Sequence, residues 1–365
     1  MNAAAVDYDG TNKYIRITDI DENSHRYINS SPVSPSGILE NKYKVMPNDI
    51  LFARTGASVG KTYLYDLNDG LLYFAGFLIR ANISISNNSY FIFCQTLTNR
   101  YKKWVLNTSM RSGQPGINSQ EYAKYKVYIP TLEEQTKIAN FLSLIDKRIE
   151  KQRQLVESLK KYKRGLISNI FEQKIKLGNK GNWIEIKLSK ILKERKTYCE
   201  KDGTYEHATL SKDGVSAKTE RYERDFLVSD ENKKYKITKF GDICYNPANL
   251  KFGVICLNNY GDAIFSPIYI TFEIDENYNK EFIGYCLTRN DFINKALKYQ
   301  QGTVYERMAV SPEDLLSMEI IVPKKETQNK ISALLNILES KLDAESNKLT
   351  LLVKMKSSLL QQMFI

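Results

Sequence analysis

The sequence predicts an α+β chain of two mixed α/β globular domains, each followed by a long helix. The helices are expected to run antiparallel and pair as an intramolecular coiled coil, in a pseudo-twofold arrangement. Three observations predict this. A repeat at an offset of 193 residues spans the chain, each repeat ends in a heptad-patterned tail, and each tail follows a region of short strand-like runs broken by Gly, Asn and Pro. Self-similarity of this kind resets the fold expectation before any motif is weighed.

The repeat is clearest in the tails, where Pro130 to Glu172 lies over Pro323 to Ile365 without a gap. Glu133/Glu326, Gln135/Gln328, Ile138/Ile331, Leu142/Leu335, Lys163/Lys356 and Leu166/Leu359 are identical pairs. The same offset aligns Asp9-Gly10-Thr11 with Asp202-Gly203-Thr204, and Asp49-Ile50 with Asp242-Ile243. The predicted boundaries are a first domain over 1–130, a helix over 131–173, a linker over 174–182, a second domain over 183–323 and a second helix over 324–365.

Apolar residues recur at alternating spacings of four and three in both tails. Ile138, Leu142, Ile145, Ile149, Leu159 and Leu166 mark the first seam; Ile331, Leu335, Leu338, Leu342, Leu352 and Leu359 mark the second. This is the pattern of a left-handed coiled coil. The polar interruptions fall at matching sites, Gln152/Glu345 and Lys163/Lys356. If the helices are antiparallel, Lys163 is expected near Glu345 and Lys356 near Gln152. Some 35 residues at ~1.5 Å rise make a rod of about 50 Å, too long to lie on one small domain. Each tail starts after a proline that ends a strand-like run, Lys126–Ile129 or Glu319–Val322, and Thr131 with Glu133-Glu134 supplies a cap and an acidic first turn.

In the globular parts, Tyr14–Ile17, Asp49–Ala53, Phe77–Ile79, Asp242–Tyr245 and Ala263–Ile274 read as strands. Helices are expected over Phe91–Leu106 and Lys280–Ala296. Residues 177–182 form a Gly/Asn connector.

Composition narrows the function. Lys plus Arg is 53 against 42 acidic residues, a net charge of +11 that favours an anionic partner. No secretory signal is visible, and no apolar run approaches the roughly 18 residues that span a bilayer. Five scattered cysteines without a C-x-x-C, and only His25 and His207, leave no metal site to assemble. Reduced thiols in a cytoplasmic protein are expected, with no cofactor.

Most catalytic motifs fail on inspection. Gly56-Ala57-Ser58-Val59-Gly60-Lys61-Thr62 has three residues between its glycines where a phosphate-cradling loop needs four. Asn246-Pro247-Ala248-Asn249 lacks the second proline and stacking aromatic of an adenine methyltransferase motif, and Glu185-Ile186-Lys187 has no metal carboxylate upstream. What remains is a binding surface. Arg54, Thr55, Ser58 and Lys61 lie on a glycine-flexible basic loop that can approach a nucleic-acid backbone. Arg111, Gln114 and Asn118 occupy a turn-rich segment with side chains suited to base edges. In the second half Asn246 and Lys251 match the loop, and Gln300, Gln301, Tyr305 and Arg307 match the segment. Eight Lys/Arg against three acids over 146–164 make the first tail basic.

Ile129-Pro130-Thr131-Leu132-Glu133-Glu134-Gln135-Thr136-Lys137-Ile138-Ala139-Asn140-Phe141-Leu142, followed by Ile145-Asp146 and Leu159–Leu166, resembles the central helix of the specificity (S) subunits of type I restriction–modification systems. Asp49–Ala57 and Gly113–Asn118 resemble their target recognition domains. The resemblance implies a non-catalytic reader of a bipartite duplex DNA target, with the helices as a ruler. It implies two methyltransferase subunits and restriction subunits as partners, no membrane and no cofactor. A coiled-coil scaffold that binds proteins only is the alternative. One departure stands out. The second half opens with Gly181–Leu192 before its Asp-Gly-Thr anchor, whereas the first opens with eight residues, so the first domain is expected to lack an opening strand and helix.

Overall fold

The computed structural model describes residues 1–175, 183–200, 203–218, 234–301 and 308–364. The chain divides into two compact units, Met1–Ser158 with Asp343–Ile365, and Leu159–Leu342. Each unit owns a globular region and a part of both long helices, Leu132–Phe171 and Lys325–Met363. The connector over 177–182 lies outside the described residues, as does Asp202.

The first unit is built on an antiparallel sheet in the order Thr62–Leu64, Asp49–Ala53, Leu78–Asn82. Ile50 and Leu51 alternate between its two faces and both are fully buried. On one side Leu51, Ala53 and Tyr63 join Ile15, Ile20 and Leu72, from the parallel pair Lys13–Ile15 and Leu72–Phe74 and the turn after it. On the other, Ile50 joins Phe91, Ile92 and Cys94 and the helix residues Ala139, Leu142 and Ile145.

Two expectations for this unit are corrected. Residues 91–106 form two helices, Ser89–Gln95 and Asn99–Ser109, because the Thr98 hydroxyl accepts the Tyr101 N–H and starts a new helix. Lys126–Ile129 is not a strand, since among the described residues no strand lies beside it. The buried Gln95 side chain instead donates to the Tyr128 carbonyl at 2.9 Å and accepts the Tyr128 N–H at 2.9 Å.

The second unit carries a four-stranded antiparallel sheet, Ile255–Leu257, Ile243–Tyr245, Ile270–Ile274 and Leu192–Glu194. Beside it lies a five-stranded sheet containing Glu206–Ser211 and Tyr235–Thr238. Here the strand before the long helix, Glu319–Val322, does form, paired with Ile184–Lys187. The run 263–274 is two strands, separated by a turn at Pro267. Residues 280–296 are again two helices, Lys280–Leu287 and Asn290–Ala296.

Within each unit the long helices meet along their seams. In the first, Leu142, Ile145 and Ile149 share a core with Leu352 and Leu360, while Ile138 and Leu359 are partly buried. In the second, Leu166 shares a core with Ile331, Leu335 and Leu338, and Leu159 packs against it. Leu342 is half-buried. The polar seam residues pair otherwise than expected: Gln152 donates to a Glu345 carboxylate oxygen at 2.6 Å, Lys356 pairs with Asp146 at 2.6 Å, and Lys163 pairs with Glu339. Periodicity fixes the face of a helix, but long side chains choose partners a turn away from their own level.

Candidate nucleic-acid interface

The loop after the strand Asp49–Ala53 and the turn-rich segment 111–118 lie some sixty residues apart in sequence and are laced together. The Gly56 N–H donates to the Pro115 carbonyl at 3.0 Å, and the Ile117 N–H to the Arg54 carbonyl at 2.9 Å. The Thr55 hydroxyl donates to the Pro115 carbonyl at 3.4 Å. Gly56 has φ +79°, and a Cβ there would come within 3.2 Å of the Gln114 amide nitrogen, so glycine lets that side chain lie over the loop.

This places Arg54, Thr55, Ser58 and Gln114 together, with Arg54 and Gln114 exposed. The other three candidates of this unit are held by the fold. Arg111 pairs with Glu121 at 2.5 Å and donates to the carbonyls of Thr108 and Met110. Asn118 caps the short helix Ser119–Tyr122 by accepting the Glu121 N–H, and its own N–H donates back to Glu121. That N–H and the Arg111 guanidinium hold the Glu121 carboxyl below its usual range. Lys61 points inward: its side chain is 8% exposed, donates to the Ile20 carbonyl at 3.1 Å and pairs with Glu22 at 2.5 Å. It anchors the underside of the loop, and the outer surface carries Arg54.

The second unit repeats one of these bonds. The Val310 N–H donates to the Pro247 carbonyl, the same bond as Ile117 to Arg54 displaced by the repeat offset. Lys251 is exposed, with its ammonium 5.0 Å from the centre of the exposed Phe252 ring. Asn246 is buried and caps the short helix Pro247–Phe252 through the Ala248 N–H. Gln300 donates to the Met308 carbonyl, and Gln301 exchanges backbone bonds with Ala309 while its amide reaches Asp314. Tyr305 and Arg307 lie outside the described residues.

Sequence reasoning missed the neighbours of the first loop. Arg16, Thr18 and Phe77 line, with Arg54 and Thr55, a groove of about 950 Å³. Lys102, from the helix Asn99–Ser109, lines a cleft of about 330 Å³ behind the loop with Ser58, Lys61 and His25. The run Arg100-Tyr101-Lys102-Lys103 was the available signal. His25 donates from Nδ1 to the Thr62 carbonyl at 2.8 Å, and desolvation pushes the imidazole pKa down. Among the described residues no group of three or more His, Cys, Asp or Glu side chains is placed to hold a metal ion. All five cysteines are free thiols.

Two repeat-related globular regions thus share one backbone tie, Ile117 to Arg54 in the first and Val310 to Pro247 in the second. Residues 2–161 match the family described as "Type I restriction modification DNA specificity domain". A curated relative, the type I restriction enzyme MjaVIII specificity subunit of Methanocaldococcus jannaschii, is 22% identical over 342 residues, covering 87% of this chain and 78% of the relative. The fold is similar to the crystal structure of the type I restriction–modification S subunit from M. genitalium, with TM-score 0.59 at 14% identity over 99% of this chain and 90% of that one. A chain solved in work on assembly and conformational transition of the type I R-M system gives TM-score 0.56 at 14% identity, over 99% and 94%.

Proposed function

We propose that this chain is the non-catalytic DNA-reading subunit of a cytoplasmic type I restriction–modification complex, and that it reads a bipartite duplex target. Each globular region is a target recognition domain, over 1–130 and 183–323, and reads one half-site. The helices over 131–173 and 324–365 pair as a coiled coil and hold the domains about one turn of DNA apart, roughly 34 Å. The same body directs two methyltransferase subunits and the restriction subunits to the site.

The observation that carries this reading is the repeat-related backbone bond, Ile117 to Arg54 and Val310 to Pro247, which ties the same two segments in each half of the chain. The ion pairs on the helices support the pseudo-twofold arrangement. Asp146–Lys356 and Glu339–Lys163 are each other's image under the repeat, and Gln152 and Glu345 are repeat equivalents bonded to one another. Arg54, Thr55, Ser58 and Gln114 form the reading edge of the first domain. Lys251 belongs to that of the second, with Tyr305 and Arg307 proposed beside it.

Selection from a pool of randomised duplexes tests the reading. Two short sequences recurring at one separation are expected, with affinity falling steeply as salt rises. Recovery of a single uninterrupted sequence, or of none, would overturn it.

A further inference from the structure

Gln135 and Gln328, identical in the repeat, do the same work in each unit. Gln135 is 1% exposed. Its Oε1 accepts the Asn88 N–H at 2.9 Å, and its Nε2 donates to the Pro130 carbonyl at 2.9 Å and to Asn87 Oδ1 at 3.1 Å. Gln328 is also 1% exposed; its Oε1 accepts the Asn279 N–H at 2.9 Å, and its Nε2 donates to the Pro323 carbonyl at 2.8 Å.

The groups bound are not arbitrary. Asn88 and Asn279 are the N-caps of the helices Ser89–Gln95 and Lys280–Leu287, where their side chains accept the N–H of Phe91 and Phe282. Pro130 and Pro323 stand where the chain turns into each long helix. One amide therefore ties the first turn of the long helix to the turn that feeds it and to the start of a helix in the globular region. Phe91 and Ile92 also pack with Ala139 and Leu142, and Phe282 and Ile283 with Ile331 and Leu335. Those apolar contacts hold the parts together but are non-directional and tolerate rotation. The amide bonds are directional and sit out of water, so they fix an angle.

We infer that Gln135 and Gln328 are positioning residues that set the orientation of each recognition domain on its helix and thereby the separation of half-sites the protein accepts. The inference rests on the bipartite reading proposed above. It assigns base recognition and spacing to different residues, so the two are separable by experiment.

The test compares the full chain with Gln135→Met, Gln328→Met and the double variant, using the same pool of randomised duplexes. Methionine keeps the volume and removes every amide bond, three at Gln135 and two at Gln328. The variants should recover the same half-site bases as the unaltered chain, but at two or more separations in place of one. The preference for the best spacing should fall about fivefold for each clamp removed, the factor expected for about one net hydrogen bond. Unchanged half-sites show that a variant is folded, and each single variant leaves the other clamp intact if one fails to fold. Recovery of one unchanged separation, even with a lowered melting temperature, would show the glutamines to be structural only and overturn the inference. If the unaltered chain recovers no paired half-sites, the bipartite reading fails first and the spacing role falls with it.

Discussion

In the second unit the strand Ile270–Ile274 is flanked by Ile243–Tyr245 on one side and Leu192–Glu194 on the other. In the first, the corresponding strand Leu78–Asn82 pairs, among the described residues, with Asp49–Ala53 alone. The second unit also has the ladder between Ile184–Lys187 and Glu319–Val322, and the first leaves Lys126–Ile129 irregular. Among the described residues, nothing on the first unit takes the places that Ile184–Lys187 and Leu192–Glu194 hold on the second. Each unit nevertheless satisfies the same polar groups. Asp242 is held by Arg195, just past Leu192–Glu194, through bonds of 2.8 and 3.0 Å. Its repeat partner Asp49 takes 2.8 Å from Asn82 and has Arg80 at 3.8 Å, both on the neighbouring strand. A buried carboxylate must be compensated, but the repeat does not dictate by which element.

The largest expected effect separates those two arginines. Arg195 and Asp242 are a desolvated, bidentate pair, with side chains 13% and 4% exposed. Arg195→Ala should destabilise by about 3–5 kcal/mol, because it leaves an uncompensated buried charge. Arg80 is about one-third exposed, lies 3.8 Å from Asp49 and donates instead to the Lys44 carbonyl at 3.0 Å, so Arg80→Ala should cost about 1 kcal/mol or less. Chemical denaturation of both variants checks this; equal losses would mean that Asn82 does not stand in for the missing guanidinium.

Next comes the substitute for the absent ladder. Gln95→Leu removes both bonds to the Tyr128 backbone and should cost about 2 kcal/mol, with faster amide exchange at Tyr128. Cys286, also buried on the matching helix, binds no such segment, and Cys286→Ala should leave exchange at Ile321 unchanged. Faster exchange at both positions would erase the distinction.

The first unit carries an acid-sensitive group. His25 is half-buried, with Phe93 at its ring edge and Lys102, Glu22 and Lys356 as the charges acting on it. Burial lowers its folded pKa below the unfolded value near 6.5, so its neutral form supports the fold above that pH. Stability is lost as pH falls from about 6.5 through the folded pKa, by at most about 1.4 kcal/mol per unit. His25→Asn, which keeps a residue tolerant of φ +55°, should flatten that slope between pH 6.5 and 5. An unaltered slope would assign the acid response elsewhere.

How much of this was legible depended on whether the signal was periodic. Both long helices follow from their heptads, and the offset of 193 located each of them. The breaks at Thr98 and Arg289 were hidden, since a cap residue inside an apolar run does not interrupt the pattern. Lys126–Ile129 has the composition of a strand, yet a strand is a property of a pair, and one sequence run does not reveal whether its partner is present. The candidate loops were found separately because Gly, Gln and basic residues marked each. Their lacing was not visible, for it joins backbone groups that every sequence shares. The same blindness made Lys61, Arg111 and Asn118 look alike to Gln114, although the fold uses the first three internally.

That distinction gives the smallest effect and the finest comparison, between two cations on one loop. Arg54 is exposed, while Lys61 is turned beneath the loop onto Glu22 and the Ile20 carbonyl. Each phosphate contact releases about 0.9 counterion, so Arg54→Ala should flatten the slope of log affinity against log salt by roughly 0.9. Lys61→Ala should leave the slope unchanged and lower the melting temperature, because it removes a tie under the loop and leaves Glu22 without its cation. Binding of a random duplex across a salt series, together with melting of the free protein, measures both. If Lys61→Ala flattens the slope and Arg54→Ala does not, the inward lysine swings out onto DNA and the loop seen here is its unbound form.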